Sequence, residues 1–228
     1  MKIAMLFSGG KDSVYALSKA LAQSHELACL LTMIPERTDS YMFHVPNIAL
    51  AKYCGDAIGA PHLFRPTTGI KEKELMELRQ TLQELKSTHG IEGVVSGALA
   101  SNYQAERIQK ICDDLNLQCI NPLWHINTDT YLFELLANRF TFIIVGVYAQ
   151  GLTESWLGRE ITPAAIEELK LLHQKYKIHL GFEGGEAETL VLDCPLYKKR
   201  LRILEASKNL HGISGEYLIS KAELVDKE

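Results

Sequence analysis

The sequence predicts an α/β protein in which a doubly wound parallel sheet is followed by a small C-terminal α+β domain. Three observations lead there. Apolar, β-forming runs alternate with amphipathic helical patterns from the first residues onward. The first run, Ile3 to Phe7, passes straight through two glycines into a helical pattern, and the alternation gives way near Gln150 to one helix and several short strand-like runs. The expected division is residues 1–145 for the sheet and 146–228 for the appended domain.

Each element has its own signal. Val14, Leu17 and Leu21 lie at helical spacing after Ser8-Gly9-Gly10-Lys11-Asp12-Ser13. Leu27 to Thr32 reads as a second buried strand, parallel to the first. Met33 to Val45 has no period and is expected to be a long loop over the ligand end of the sheet; Pro46 is expected to start a helix that ends at Gly59. His62 to Arg65 is a third strand. Leu75, Leu78, Leu82 and Leu85 mark a helix with a solvated Lys- and Glu-rich face. Gly93 to Ser96 is a fourth strand, and Ser101 or Asn102 is placed to cap the helix carrying Ile108, Ile111 and Leu115. Cys119 and Ile120 belong to a fifth strand. Thr128 to Ala137 is helical, and Thr141 to Tyr148 is another β-forming run, giving five or six β-α units. Thr162-Pro163 opens a helix with Ile166, Leu169, Leu172 and Tyr176 on one face. Thr189 to Leu192, Arg200 to Leu204 and Glu216 to Ile219 read as short strands.

Composition narrows the function classes. With 46% hydrophobic and 23% charged residues, the chain is of ordinary globular make-up rather than disordered. A net charge of −4 supplies no basic field, so direct nucleic-acid binding is not expected. Cys29, Cys54, Cys112, Cys119 and Cys194 are odd in number, form no C-x-x-C pair and sit mostly in apolar runs, which points to reduced thiols and away from zinc or iron–sulfur centres. No signal-like segment and no membrane-length apolar run is apparent, so a cytoplasmic location is expected. The oligomeric state is left open, a homodimer included.

Two stretches carry chemistry. At the strand–helix junction, the first helical N–H groups have no intrahelical partner and the helix dipole is positive there. Gly9 and Gly10 let the backbone turn and approach a phosphate, while Ser8 and Ser13 add hydroxyls. The spacing fits neither a Walker A loop nor a dinucleotide fingerprint. Glu183-Gly184-Gly185-Glu186-Ala187-Glu188-Thr189 is the second stretch: three carboxylates in six residues repel one another unless a cation or basic ligand lies among them.

S-G-G-K-D-S resembles the pyrophosphate loop of the N-type ATP pyrophosphatases, which cleave ATP between its α and β phosphates. Taken with E-G-G-E-A-E-T-L-V-L-D-C-P-L-Y at Glu183 to Tyr197, S-Y-M-F-H at Ser40 to His44, G-V-V-S-G-A at Gly93 to Ala98 and P-L-W at Pro122 to Trp124, the chain resembles the diphthine-ammonia ligase family along nearly its whole length. Where that family commonly shows an aromatic in E-G-G-E-x-E-T, this chain has Ala187.

The resemblance implies a sheet of the adenine nucleotide α-hydrolase (HUP-like) type, with residues 1–145 as the ATP-pyrophosphatase domain and 146–228 contributing the acidic loop. It implies an AMP-producing ligase: ATP activates a diphthine carboxylate on translation elongation factor 2 as an acyl-adenylate, and ammonia then displaces AMP. Ser8, Gly9, Gly10 and Ser13 are expected to hold pyrophosphate, with Lys11 offsetting its charge and Asp12 holding Mg²⁺. Adenine is expected near Leu31 and Gly97, with Ala98 and Ser101 completing the nucleotide set. Glu183, Glu186 and Glu188 are expected to bind metal or to position and deprotonate ammonium, with Glu186 as the second metal ligand. The chain begins Met1-Lys2 and has no G-x-C-x-G turn, so free ammonia is the expected nitrogen source rather than glutamine. Two other readings stay open: a ligase of the same fold acting on a small-molecule carboxylate, and a non-catalytic adenine-nucleotide sensor.

Overall fold

The computed structural model describes residues 1–36 and 47–227. Five strands, β1 (Lys2–Leu6), β2 (Glu26–Pro35), β3 (His62–Thr67), β4 (Gly93–Val95) and β5 (Gln118–Ile120), form one parallel sheet in the order β3-β2-β1-β4-β5. The helices between them are α1 (Lys11–Ala22), α2 (Ala51–Ile58), α3 (Lys73–His89) and α4 (Asn102–Leu115). The order reverses at β1, and in such sheets the crevice beyond the carboxyl ends of the central strands is where ligands bind.

Side-chain alternation along the central strands explains the layers. Ile3 and Met5 of β1 face one way and join Val14, Leu17 and Ala20 of α1 and Cys54 and Ala57 of α2. Ala4 and, on β2, Leu31 and Met33 face the other way, onto Leu78, Leu82 and Leu85 of α3 and Ile108, Ile111 and Leu115 of α4. A strand covered on both faces must be apolar on both, which is why these runs read as nearly continuous hydrophobics. Each fully buried Val or Leu in these layers contributes roughly 1.5–3 kcal/mol.

After α5 (Thr128–Ala137) the chain enters a four-stranded sheet ordered β7-β6-β9-β8, made of β6 (Thr141–Val147), β7 (Ala187–Asp193), β8 (Lys199–His211) and β9 (Ser214–Asp226), with α6 (Pro163–Tyr176) beside it. All of its pairings are antiparallel. Its apolar face does not form a separate core. Phe142, Ile144, Leu190, Val191 and Leu201 continue the same buried cluster that holds α1 and α2.

Several expectations need correction. The Thr141 to Tyr148 run is not a sixth unit of the parallel sheet; it is β6, paired with β7 and β9, so the boundary expected at residue 145 falls inside that strand. Its strand character is plain from sequence, but its partners lie 40 or more positions away, where periodicity carries no information. Met33 to Pro35, expected as loop, extend β2 and pair with Arg65 to Thr67. The two late short strands are 13 residues each and form one hairpin. The expected lid at 37–45, the S-Y-M-F-H segment and a helix start at Pro46 lie outside the described residues. Helix α2 does end at Gly59, which takes a left-handed φ of 76°. Thr162 caps α6, its Oγ1 accepting from the Ala165 N–H, with Pro163 in the first turn.

Candidate active site

A cavity of ≈ 490 Å³ opens at the carboxyl ends of β1, β2 and β4. Ser8, Lys11, Asp12 and Ser13 line it from the nucleotide-loop side and Leu31, Met33, Gly97, Ala98, Ser101 and Ile108 from the sheet side; Phe182, Glu183, Gly184, Gly185, Ala187, Glu188 and Thr189 close it from the second sheet. Its size suits a nucleotide-sized ligand. The two chemical stretches, about 175 positions apart in sequence, therefore face one space.

The glycine loop is built from both sheets. Gly9 adopts φ +78°, and a Cβ there would lie 3.1 Å from Cys54 Sγ. A Cβ on Gly10 would lie 3.2 Å from the Thr189 carbonyl. Neither glycine lines the cavity itself; both shape the loop. Ser13 Oγ donates to the Gly10 carbonyl (3.0 Å) and lies 3.2 Å from Ser8 Oγ, so the two hydroxyls fix one turn. Thr189 Oγ1 accepts from the Lys11 N–H at 3.1 Å, and the Val191 N–H donates to the Gly9 carbonyl at 3.0 Å. Gly10 caps α1 without a side-chain hydrogen bond, leaving the helix N-terminus directed at the cavity.

Asp12 and Lys11 form a locked pair. Lys11 Nζ donates to Asp12 Oδ2 and to the Gly181 carbonyl, both at 2.8 Å, and lies over the faces of Phe182 and Tyr131. The amine that the sequence placed on pyrophosphate is thus a buried tie between the nucleotide loop and the acidic loop. Tyr131 of α5 is fully buried and its hydroxyl donates to Asp12 Oδ1 at 2.7 Å. Burial first, and then the Asp12 charge, push that phenol well above its ordinary range, so it stays a neutral donor. Sequence reading missed Tyr131: a tyrosine in an apolar helical stripe looks like core until its hydroxyl is placed.

The acidic block does not gather three carboxylates. Glu183 Oε1 accepts the backbone N–H groups of Ala100 (3.0 Å) and Ser101 (2.6 Å), just ahead of α4. Glu186 folds back to accept the His179 N–H at 2.9 Å and does not line the cavity. Gly184 permits that fold, because a Cβ there would sit 2.8 Å from Glu186 Oε1, and Gly185 supplies the left-handed residue at φ +75°. His179 Nδ1 accepts from the Gly181 and Glu183 N–H groups, completing the turn. Of the three, only Glu188 lines the cavity with a carboxylate that makes no hydrogen bond or ion pair to another described residue; Glu186 Oε2 is also without a hydrogen-bond partner, but Glu186 does not line the cavity. Burial, reinforced by the Asp12 charge and opposed by Lys11, pushes its carboxyl up to about 7.

The small residues after β4 have a packing cause. A Cβ on Gly97 would lie 2.9 Å from the Asp12 carbonyl carbon and the Ser13 nitrogen, so Gly97 admits the N-terminus of α1. Ala187 lines the cavity. The five cysteines are free thiols; burial pushes Cys54 up to about 12 and Cys194 to about 11, which keeps both protonated at neutral pH.

Among the described residues, no cluster of three or more His, Cys, Asp or Glu groups is arranged to hold a metal ion. Mg²⁺ is commonly bound through one or two carboxylates together with substrate phosphates and water; of the two carboxylates expected to hold it, Asp12 lines the cavity and Glu186 does not. No helix among the described residues is long and apolar enough to cross a membrane.

Comparison with known proteins agrees with this geometry. The family model described as the diphthamide synthase N-terminal domain matches residues 1–119, and that of the diphthamide synthase C-terminal domain matches residues 127–225. The chain is 33% identical to the diphthine–ammonia ligase of Rattus norvegicus over 93% of its own length and 86% of the relative. It is 32% identical to that of Homo sapiens over the same shares. Similarity to the Schizosaccharomyces pombe protein of that name, at 31%, spans this whole chain and 40% of the relative.

Proposed function

Because the chain belongs to the diphthamide synthase family, we propose that it is the ligase that amidates diphthine on translation elongation factor 2, using ammonia and cleaving ATP to AMP and pyrophosphate. The observation that carries this reading is the single cavity shared by the S-G-G-K-D-S loop and the E-G-G-E-A-E-T block, with Thr189 hydrogen-bonded to the loop itself.

The chemistry runs in two steps. A diphthine carboxylate oxygen attacks the α-phosphorus of ATP, and pyrophosphate leaves with the electrons of the broken P–O bond. Ammonia then attacks the acyl carbon, the bond to AMP breaks, and two protons are released per amide formed from ammonium. We assign the leaving pyrophosphate to the positive end of the α1 dipole, where Lys11, Asp12 and Ser13 line the cavity. Adenine fits the apolar wall of Leu31, Met33 and Ile108, beside Gly97 and Ala98. Asp12, steadied by Tyr131 and Lys11, is the residue that would hold Mg²⁺, which neutralises phosphate charge when bound. Glu183 and Glu186 keep the acidic loop folded against α4 and His179. In this reading residues 1–119 hold the nucleotide and the second sheet closes over the acceptor, and the acceptor being an elongation factor makes the cytoplasm the working location.

The test is to incubate the protein with ATP, Mg²⁺, ammonium chloride and the factor bearing diphthine. AMP and pyrophosphate should appear in step with diphthamide on the factor's histidine, read by mass spectrometry. AMP production that ignores the factor but responds to a small carboxylic acid would replace the acceptor; no AMP under any condition would leave a nucleotide sensor. Asp12→Ala should lower kcat by on the order of a hundredfold, about 3 kcal/mol of transition-state stabilisation.

A further inference from the structure

We propose that Glu188 is the residue that binds the ammonium ion from which the ammonia that attacks the acyl carbon is drawn; this deepens the ligase reading and rests on it. Three carboxylates line the cavity: Asp12, bonded to Tyr131 and Lys11 and assigned above to Mg²⁺; Glu183, which accepts the Ala100 and Ser101 N–H groups; and Glu188. Glu188 has no such partner among the described residues. That leaves Glu188 as the carboxylate of this cavity open to a cationic hydrogen-bond donor.

Glu188 lies on β7 and lines the cavity together with Lys11 and Asp12 of the nucleotide loop. Ammonium has four N–H donors and a full charge, and a charge-assisted N–H···O bond to a buried carboxylate is among the stronger hydrogen bonds available. Lys11, whose amine is held by Gly181 and Asp12, makes no ion pair with Glu188. The division of labour within the block follows: Glu183 and Glu186 fold the loop and Glu188 receives the nitrogen donor.

Two measurements decide it. In the presence of a non-hydrolysable ATP analogue, ammonium chloride should raise the thermal midpoint of the wild-type protein above that in equimolar sodium chloride, and Glu188→Gln should abolish the difference. With the diphthine-bearing factor, Glu188→Gln should raise KM for ammonium by about tenfold or more, since a charge-assisted contact is lost. Hydroxylamine is already neutral at pH 7, so the same variant should form the hydroxamate within about twofold of the wild-type rate, and Glu188→Asp should recover part of the ammonium affinity. Equal loss with both nucleophiles, a raised Mg²⁺ requirement, or an ammonium-specific midpoint shift that survives in Glu188→Gln would each overturn the assignment. If the wild type makes no hydroxamate on the factor, the acceptor reading falls, while the midpoint comparison still decides the role of Glu188.

Discussion

His62 shows how far one side chain's chemistry is set by its neighbours. Its ring packs edge-on to Phe7 and over Phe64, its Nε2 lies 2.8 Å from Thr32 Oγ1, and a Cβ on Gly55 would collide with its Nδ1. Burial pulls it from its ordinary 6.5 down to about 4. Between those values the unfolded chain holds a proton that the native ring does not, so native stability is complete above pH ~6.5 and declines as pH falls toward ~4. The full gap would be worth about 3 kcal/mol, and solvent access to part of the ring brings that to roughly 1–2 kcal/mol. Urea midpoints at pH 7 and pH 4.5 should therefore differ less in His62→Gln than in wild type; identical slopes would reject the account. At this scale the sequence was half legible. Ser8 to Ser13 announced themselves by type and spacing, but the directions of Glu183, Glu186 and Glu188 depend on where His179 and Ala100 end up. Nothing in a string of letters separates a glutamate that clasps a backbone from one that faces a ligand.

Helix α1 and strand β7 form the element pair on which the site depends. The Lys11 N–H and the Gly9 carbonyl are satisfied by Thr189 and Val191 rather than by anything local. Thr189→Val keeps the shape of the side chain and removes the acceptor, leaving a buried N–H without its partner. The expected cost is about 1–3 kcal/mol in denaturant unfolding, accompanied by a raised KM for ATP. A variant with wild-type stability and ATP affinity would show that the loop holds itself. The helices were readable from apolar spacing and from signals such as Gly59 and Thr162-Pro163, because a helix's hydrogen bonds close within a few residues. Strands β6, β8 and β9 were recognisable as strands but not as a sheet, since pairing is fixed by long-range packing of faces.

Over the whole molecule, the two sheets share one buried cluster that runs from Ile3 and Leu17 through Tyr131 to Phe142, Val191 and Leu201. Unfolding of either half would expose the other's apolar face, so the protein should melt in a single transition. Trp124 follows the last parallel strand and Trp156 sits buried beside the second sheet. Single-tryptophan variants, Trp124→Phe and Trp156→Phe, should give coincident denaturation curves by fluorescence and by circular dichroism; separated midpoints would reveal two independent units. The sequence suggested a core domain with an appendage because the strand–helix alternation gives way near Gln150. It could not show that the appendage supplies the wall of the loop. The bond from Val191 to Gly9 has a practical corollary for protein engineers. Grafting the first 119 residues onto an unrelated C-terminal half would transplant the phosphate-gripping letters without the scaffold that gives them their shape, so exchange of modules in this lineage has to move both halves together.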